Sequence, residues 1–116
     1  MSFEGLWAIR FGHKGEAGLP NGGVVVFETN RVFGGDSWIA YTGRYELQEG
    51  KRVVANVTAE QHSPGIVYDA WGGMGGKFDM LVVAEMQADG EWSGVMGREG
   101  DTDKLNIRMR KLSELP

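Results

Sequence analysis

Large apolar residues alternate with polar or small residues in segment after segment of this chain, and this period of two constrains the fold more than any other feature. Side chains two positions apart lie on the same face of a β-strand, whereas a helix groups residues three or four positions apart. The segment 52–60 is the clearest example, with Val53, Ala55, Val57 and Ala59 on one face. The sequence therefore predicts an all-β protein.

Glycines separate these segments. The chain has 19 glycines and only three prolines, and pairs such as Thr29-Asn30 and Asp89-Gly90 are typical of tight hairpin turns. We predict a turn at residues 34–37 and a longer glycine-rich loop at 63–76. The predicted strands are, in order, residues 5–11, 22–28, 31–33, 38–47, 52–60, 78–86, 91–98 and 104–112.

The number of strands and the short connections favour a closed sheet. Eight antiparallel strands close most easily as an up-and-down barrel, because closure removes the unpaired edges of an open sheet; a two-sheet sandwich is the alternative. The length of 116 residues fits one hydrophobic core, so residues 1–116 are predicted to form a single domain. A filled interior is favoured by the bulk of the residues predicted to point inward, which are Trp7, Ile9, Phe11, Tyr41, Tyr45, Val57, Phe78, Met80, Trp92 and Ile107.

Charge and composition restrict the partners and the compartment. A formal charge of −4 and a pI near 5.1 disfavour contact with phosphate backbones, so we expect no nucleic-acid partner. The longest apolar runs, 24–27 and 80–84, are much shorter than the roughly 20 residues of a membrane span, so we expect no membrane partner. The chain contains no cysteine, and no leader-like segment precedes Trp7. We therefore expect a cytoplasmic protein.

The sequence offers little for catalysis. Two histidines and no cysteine make a transition-metal site improbable on composition alone, and no nucleophile has a base beside it in the sequence. The run 72–77 resembles a phosphate-binding loop, but Phe78 stands where that motif needs a hydroxyl. The acidic segment 99–103 lacks the ligand spacing of a calcium loop. We expect a protein that is not an enzyme, with no catalytic residue, metal or cofactor.

Two sets of residues are candidates for binding. Trp38 is predicted to point outward, and exposed aromatic side chains are enriched at interfaces. A partner or dimer interface is therefore predicted at Asp36, Ser37, Trp38, Arg108 and Arg110. Alternatively, the barrel interior holds a small apolar ligand, as eight-stranded barrels can, and the protein is a carrier. The candidate cavity for that ligand is lined by Trp7, Tyr41, Tyr45 and Met80.

Two stretches carry a resemblance to a known family. The sequences GLWAIRF (5–11) and GGVVVFETNRVFGGDSWIAYTGRY (22–45) together resemble the GrlR-like family of type III secretion regulators. The Gly-Gly-Asp-Ser element at 34–37 is the most specific part of the match. The resemblance implies an eight-stranded lipocalin-like barrel, a homodimer, and a negative regulator that acts by protein–protein interaction, holding a transcriptional activator as its partner.

Overall fold

Each segment with alternating apolar and polar residues forms a β-strand. The computed structural model of the chain describes residues 2–13, 19, 21–63, 76–98 and 104–116. The strands are β1 (Gly5–Gly12), β2 (Asn21–Glu28), β3 (Arg31–Gly35), β4 (Ile39–Gln48), β5 (Arg52–Gln61), β6 (Lys77–Met86), β7 (Trp92–Arg98) and β8 (Leu105–Ser113).

The eight strands form one closed antiparallel barrel. Each strand pairs with the next along the chain, and β8 returns to pair with β1. Ala8 of β1, for example, lies opposite Val24 of β2 on one side and Arg110 of β8 on the other. The predicted up-and-down barrel is confirmed, and the closed sheet excludes the two-sheet sandwich. No helix in the described part of the chain has the length and apolar character needed to cross a membrane.

The inward face of the barrel matches the alternation of the sequence. Of the residues predicted to point inward, all are buried except Phe78, which is partly buried and packs against the core. Leu47 and Met86 have the inward parity of their strands but are 37% and 46% exposed. They lie at the ends of β4 and β6, beyond the last layer of the core. Periodicity predicts the face of such a residue but not where the core stops.

Inward-facing glycines bring neighbouring strands close together. A Cβ atom at Gly94 would lie 1.9 Å from the carbonyl oxygen of Val83, and one at Gly34 would lie 2.1 Å from that of Val24. Glycine is required where a strand bends this sharply toward its neighbour. The prediction of a turn beginning at Gly34 was wrong, because Gly34 and Gly35 form the end of β3 and pair with both β2 and β4.

The two ends of the barrel have different connections. At one end, which we call the base, the turns 29–30, 49–51 and 87–91 join the strands, and Thr29 and Asn30 have φ angles of 49° and 65°, as in a type I′ hairpin. The predicted turns at Thr29-Asn30 and Asp89-Gly90 are confirmed.

The other end, which we call the loop end, carries the turn 36–38 and the connections between β1 and β2, β5 and β6, and β7 and β8. Most of the predicted loop at 63–76 lies outside the described residues. So do residues 72–75 of the phosphate-loop-like run and the acidic segment 99–103.

Candidate interaction site

The outer surface of β1–β4 carries a contiguous set of apolar side chains. In register, Val26 lies opposite both Leu6 and Phe33, and Val24 lies opposite Ala8. Val24 is 45% exposed and Phe33 is 41% exposed, while the others are partly buried. We call this set the apolar face, and it consists of Leu6, Ala8, Val24, Val26, Phe33 and Ala40.

The apolar face originates in β2, which has valine at both parities. A closed barrel has only one interior, so Val25 and Phe27 are buried while Val24 points to the outside. Contiguous exposed apolar side chains of this kind mark interaction surfaces more often than scattered ones do.

Trp38 stands at the end of the apolar face. The turn 36–38 follows directly after Gly35, which pairs with Val24 and Ala40. Trp38 is 53% exposed, which confirms the prediction that it points outward. Ser37 is also exposed. The turn therefore extends the apolar face with one large aromatic side chain.

Asp36 holds this turn in shape. Its Oδ1 accepts hydrogen bonds from the backbone N–H groups of Trp38 and Ile39, both at 2.8 Å, and its Oδ2 accepts one from the Tyr41 hydroxyl at 2.8 Å. The His62 ring lies with Nε2 2.9 Å from the Asp36 carbonyl oxygen. The Asp36 carboxylate therefore accepts three hydrogen bonds from its own chain and fixes the backbone around Trp38.

The Tyr41 hydroxyl is kept in its protonated form. Burial raises the pKa of Tyr41 well above its usual range, and the hydrogen bond to Asp36 and the negative charge of Asp36 raise it further. A protonated phenol is the form that donates to a carboxylate. The bond between Tyr41 and Asp36 thus ties the turn to the core across the whole physiological pH range.

The two candidate arginines lie on the outer face of β8 but in different surroundings. Arg110 is opposite Ala8 and so borders the apolar face. Arg108 is opposite Arg10 and Ser93, and its guanidinium lies 3.0 Å from the carboxylate of Glu91. The structure therefore brings Arg110 next to the apolar face and directs Arg108 toward β7 and the base.

The four candidate cavity residues divide between two places. Tyr41 and Met80 line an apolar cavity of about 40 Å³ inside the barrel. Trp7 and Tyr45 do not line this cavity but lie at the base, in a cluster of aromatic rings. The four side chains therefore do not surround one common space.

Phe3 is the centre of that cluster, and sequence reasoning missed it. Its ring centroid lies 4.8 Å from those of Trp7 and Phe27, 5.5 Å from that of Tyr45 and 5.0 Å from that of Trp92. A signal was present in the sequence, because Phe3 continues the parity of Trp7 across Gly5. The strand begins only at Gly5, so a search for strands stops before Phe3.

The described residues contain no group of three or more histidine, cysteine or acidic side chains that could hold a metal ion. No protein-family model matches this chain, and a search of curated proteins gives no match. The resemblance to the GrlR-like family therefore stays a prediction.

Proposed function

We propose that this chain is a non-catalytic binding protein that works by protein–protein interaction, as a GrlR-like regulator in the cytoplasm. The observation that carries the proposal is the apolar face with Trp38 at its end. Val24, Phe33 and Trp38 are each more than 40% exposed, and β3, which contains Phe33, leads directly into the turn 36–38. Burial of such side chains is the main source of affinity at protein interfaces.

The rigidity of the turn supports the same role. Tryptophan is enriched among the residues that dominate binding energy, and a side chain that is already positioned loses less entropy on association. The Asp36 carboxylate fixes the backbone on both sides of Trp38 through its bonds to two successive N–H groups. Trp38 is thus presented by a turn that needs no rearrangement when a partner binds.

The partner is a protein, and we propose that one partner is a second copy of this chain. In a two-fold dimer the same patch on each subunit meets its equivalent, so an apolar face surrounded by polar residues is complementary to itself. Arg110 lies at the border of the face and belongs to the polar rim. The regulated activator that the family resemblance implies would bind to the dimer.

The interior gives less support to the alternative role as a carrier of a small apolar ligand. Ligand pockets commonly measure about 300–1,000 Å³, whereas the cavity beside Tyr41 and Met80 measures about 40 Å³. A carrier function through this cavity would require the core to open.

The dimer is tested by sedimentation equilibrium of three proteins. Phe33→Glu places a charge in the apolar face, and Leu81→Glu places the same charge on β6, where Leu81 is 39% exposed. We expect the wild type to dimerise and Phe33→Glu to weaken the dimer by about tenfold or more, because an unpaired carboxylate is desolvated at the interface. We expect Leu81→Glu to behave as the wild type.

Two results contradict the proposal. A wild-type protein that sediments as a monomer over the micromolar range argues against self-association. A dimer that is disrupted by Leu81→Glu and not by Phe33→Glu locates the interface on the opposite side of the barrel. Far-UV circular dichroism of each variant shows whether the barrel is intact, so that unfolding is not taken for dissociation.

A further inference from the structure

The base of the barrel contains a pocket formed by four aromatic side chains from four strands. Trp7, Phe27, Tyr45 and Trp92 belong to β1, β2, β4 and β7. They also contact one another, with centroids 5.9 Å apart for Trp7 and Phe27, 5.0 Å for Phe27 and Tyr45, and 6.0 Å for Trp7 and Trp92. All four are at least nine-tenths buried. We call this arrangement the base pocket, and the ring of Phe3 occupies it.

The four side chains that line the base pocket belong to the sheet, whereas Phe3, which occupies the pocket, does not. The four lining residues are fixed by the hydrogen-bond ladders of the closed sheet, in which Trp7, for example, pairs with Val25. Phe3 lies in residues 2–4, which precede β1 and are not part of the sheet. The pocket therefore does not depend on Phe3 for its geometry, whereas Phe3 depends on the pocket for its burial.

Few polar contacts hold residues 2–4 in place. The Trp7 indole Nε1 donates to the Phe3 carbonyl oxygen at 2.9 Å. The Lys111 ammonium donates to the carbonyl oxygen of Ser2, and the Glu4 carboxylate accepts from the backbone N–H of Thr29; both of these bonds are exposed to solvent. In both bonds water competes directly for the donor and the acceptor, so the bonds can be exchanged for contacts with solvent.

Gly5 is a suitable pivot between residues 2–4 and β1. Its φ angle is 150°, and a Cβ atom at this position would lie 2.4 Å from the carbonyl oxygen of Ser113. Only glycine adopts this backbone conformation without strain. A change of φ and ψ at Gly5, the first residue of β1, would move Phe3 out of the base pocket while residues 6–12 keep their pairing with β2 and β8.

We propose that the base pocket is a binding site for a small aromatic carboxylate, which takes the place of Phe3. The aromatic ring of the ligand occupies the position of the Phe3 ring. Its carboxylate accepts hydrogen bonds from Trp7 Nε1 and Lys111 Nζ, which at present donate to main-chain oxygens of Phe3 and Ser2. This site is distinct from the apolar face and does not rest on the proposed dimer.

The chemistry of the pocket selects this class of ligand. The ring of Phe3 is inclined at 38–63° to its four neighbours, an arrangement that favours aromatic over aliphatic groups. Trp7 is only 3% exposed, so its indole N–H needs an acceptor whenever Phe3 leaves. Lys111 has three donors, of which one meets the carboxylate of Glu114 at 2.7 Å, and so it can bind a second carboxylate.

The test uses the full chain with 4-fluorophenylalanine at position 3 and 3-phenylpropionate as the probe. We expect the fluorine resonance to move in a saturable manner from its buried position to that of a solvent-exposed ring. In a parallel calorimetric titration we expect Phe3→Ala to bind the probe about tenfold tighter or more, because the fraction of molecules with an empty pocket rises. Adding Lys111→Met to the Phe3→Ala variant should weaken its binding of the probe. The Phe3→Ala variant should also bind 3-cyclohexylpropionate more weakly than it binds the probe.

The matched control is Phe78→Ala, which truncates another partly buried phenylalanine at the loop end. We expect it to bind the probe no better than the wild type. The proposal is overturned if Phe3→Ala, folded by circular dichroism, does not bind the probe. It is equally overturned if the fluorine resonance stays unchanged at probe concentrations that saturate Phe3→Ala. If Phe3→Ala does not fold, the fluorine titration of the full chain decides alone.

Discussion

At the base of the barrel the core is closed by aromatic rings, whereas at the loop end a carboxylate organises the turn that carries Trp38. The base cluster has Phe3 at its centre, with contacts to four rings and no requirement for a specific hydrogen bond between them. The loop end depends on three hydrogen bonds to Asp36, one of them from Tyr41. The energy of apolar packing depends little on the direction of contact, whereas a hydrogen bond requires a defined distance and angle. We therefore expect substitutions at the two ends to have different effects on stability.

This contrast suits two different tasks. Aromatic packing supplies stability in proportion to the apolar area removed from water, with a smaller contribution from the geometry of the ring pairs. A carboxylate that binds several donors fixes a single backbone geometry. The base is therefore suited to hold the barrel closed, and the loop end is suited to present Trp38 in one orientation.

The largest effect is expected from removing an aromatic ring at the base. Trp92 is 5% exposed and contacts Phe3 and Trp7, so Trp92→Ala should lower the free energy of unfolding by about 3–5 kcal/mol. Trp38→Ala removes the other tryptophan of this comparison, at the loop end. Because Trp38 is 53% exposed, this substitution should change the free energy of unfolding by less than about 0.5 kcal/mol. Urea unfolding followed by far-UV circular dichroism measures both.

The comparison of the two tryptophans has a clear contrary outcome. If Trp38→Ala destabilises the protein as much as Trp92→Ala does, Trp38 contributes to the stability of the core. Its place in the turn would then be explained without an interface. If neither substitution matters, the base cluster does not hold the barrel closed. Either result would remove the contrast between the two ends.

An intermediate effect is expected at the loop end from Tyr41→Phe, which deletes the hydroxyl that donates to Asp36 at 2.8 Å. At pH 7 this substitution should lower the free energy of unfolding by about 1.5–3 kcal/mol, the range for a hydrogen bond to a charged acceptor. Asp36 keeps its two backbone donors, so the turn should survive. Urea unfolding at pH 7 and at pH 11 provides the measurement.

The pH dependence has a definite sign. The pKa of Tyr41 is raised in the folded protein by burial and then by Asp36, while in the unfolded chain it is about 10. Stability from this group is therefore fully present below pH 10 and is lost as the pH rises above 10, by about 1.4 kcal/mol at pH 11. The difference between wild type and Tyr41→Phe should shrink by that amount. A difference that is constant from pH 7 to pH 11 would contradict the raised pKa.

The alternation of apolar residues predicted the strands and the closed barrel because both depend on local periodicity and on the need to pair every edge. It also predicted that Trp92 and Tyr41 are buried and that Trp38 is exposed. The prediction failed at Gly34, which the turn propensity of glycine assigned to a turn although the residue lies within β3. A glycine in an extended strand is needed when two backbones approach, and that requirement comes from the neighbouring strand.

The candidate surfaces were less predictable than the fold. The apolar face joins Leu6, Val26 and Phe33 through the register of three strands, and register depends on the pairing of the whole sheet. The base pocket joins side chains of four strands around Phe3, whose contacts reach Trp92 near the other end of the sequence. A single sequence shows which side chains share a strand face, but it does not show which faces meet across strands.

The smallest effect is expected from a polar contact on the outside of the base. The guanidinium of Arg108 lies 3.0 Å from the Glu91 carboxylate, and the two side chains are 59% and 34% exposed. A double-mutant cycle of Arg108→Ala and Glu91→Gln should give a coupling free energy below about 1 kcal/mol, because exposed ion pairs are screened by water and salt. In 1 M NaCl, where the screening length is roughly 3 Å, the coupling should disappear. If the coupling free energy is unchanged in 1 M NaCl, the ion pair is effectively desolvated. A polar contact would then stabilise the base, as the hydrogen bonds to Asp36 stabilise the loop end.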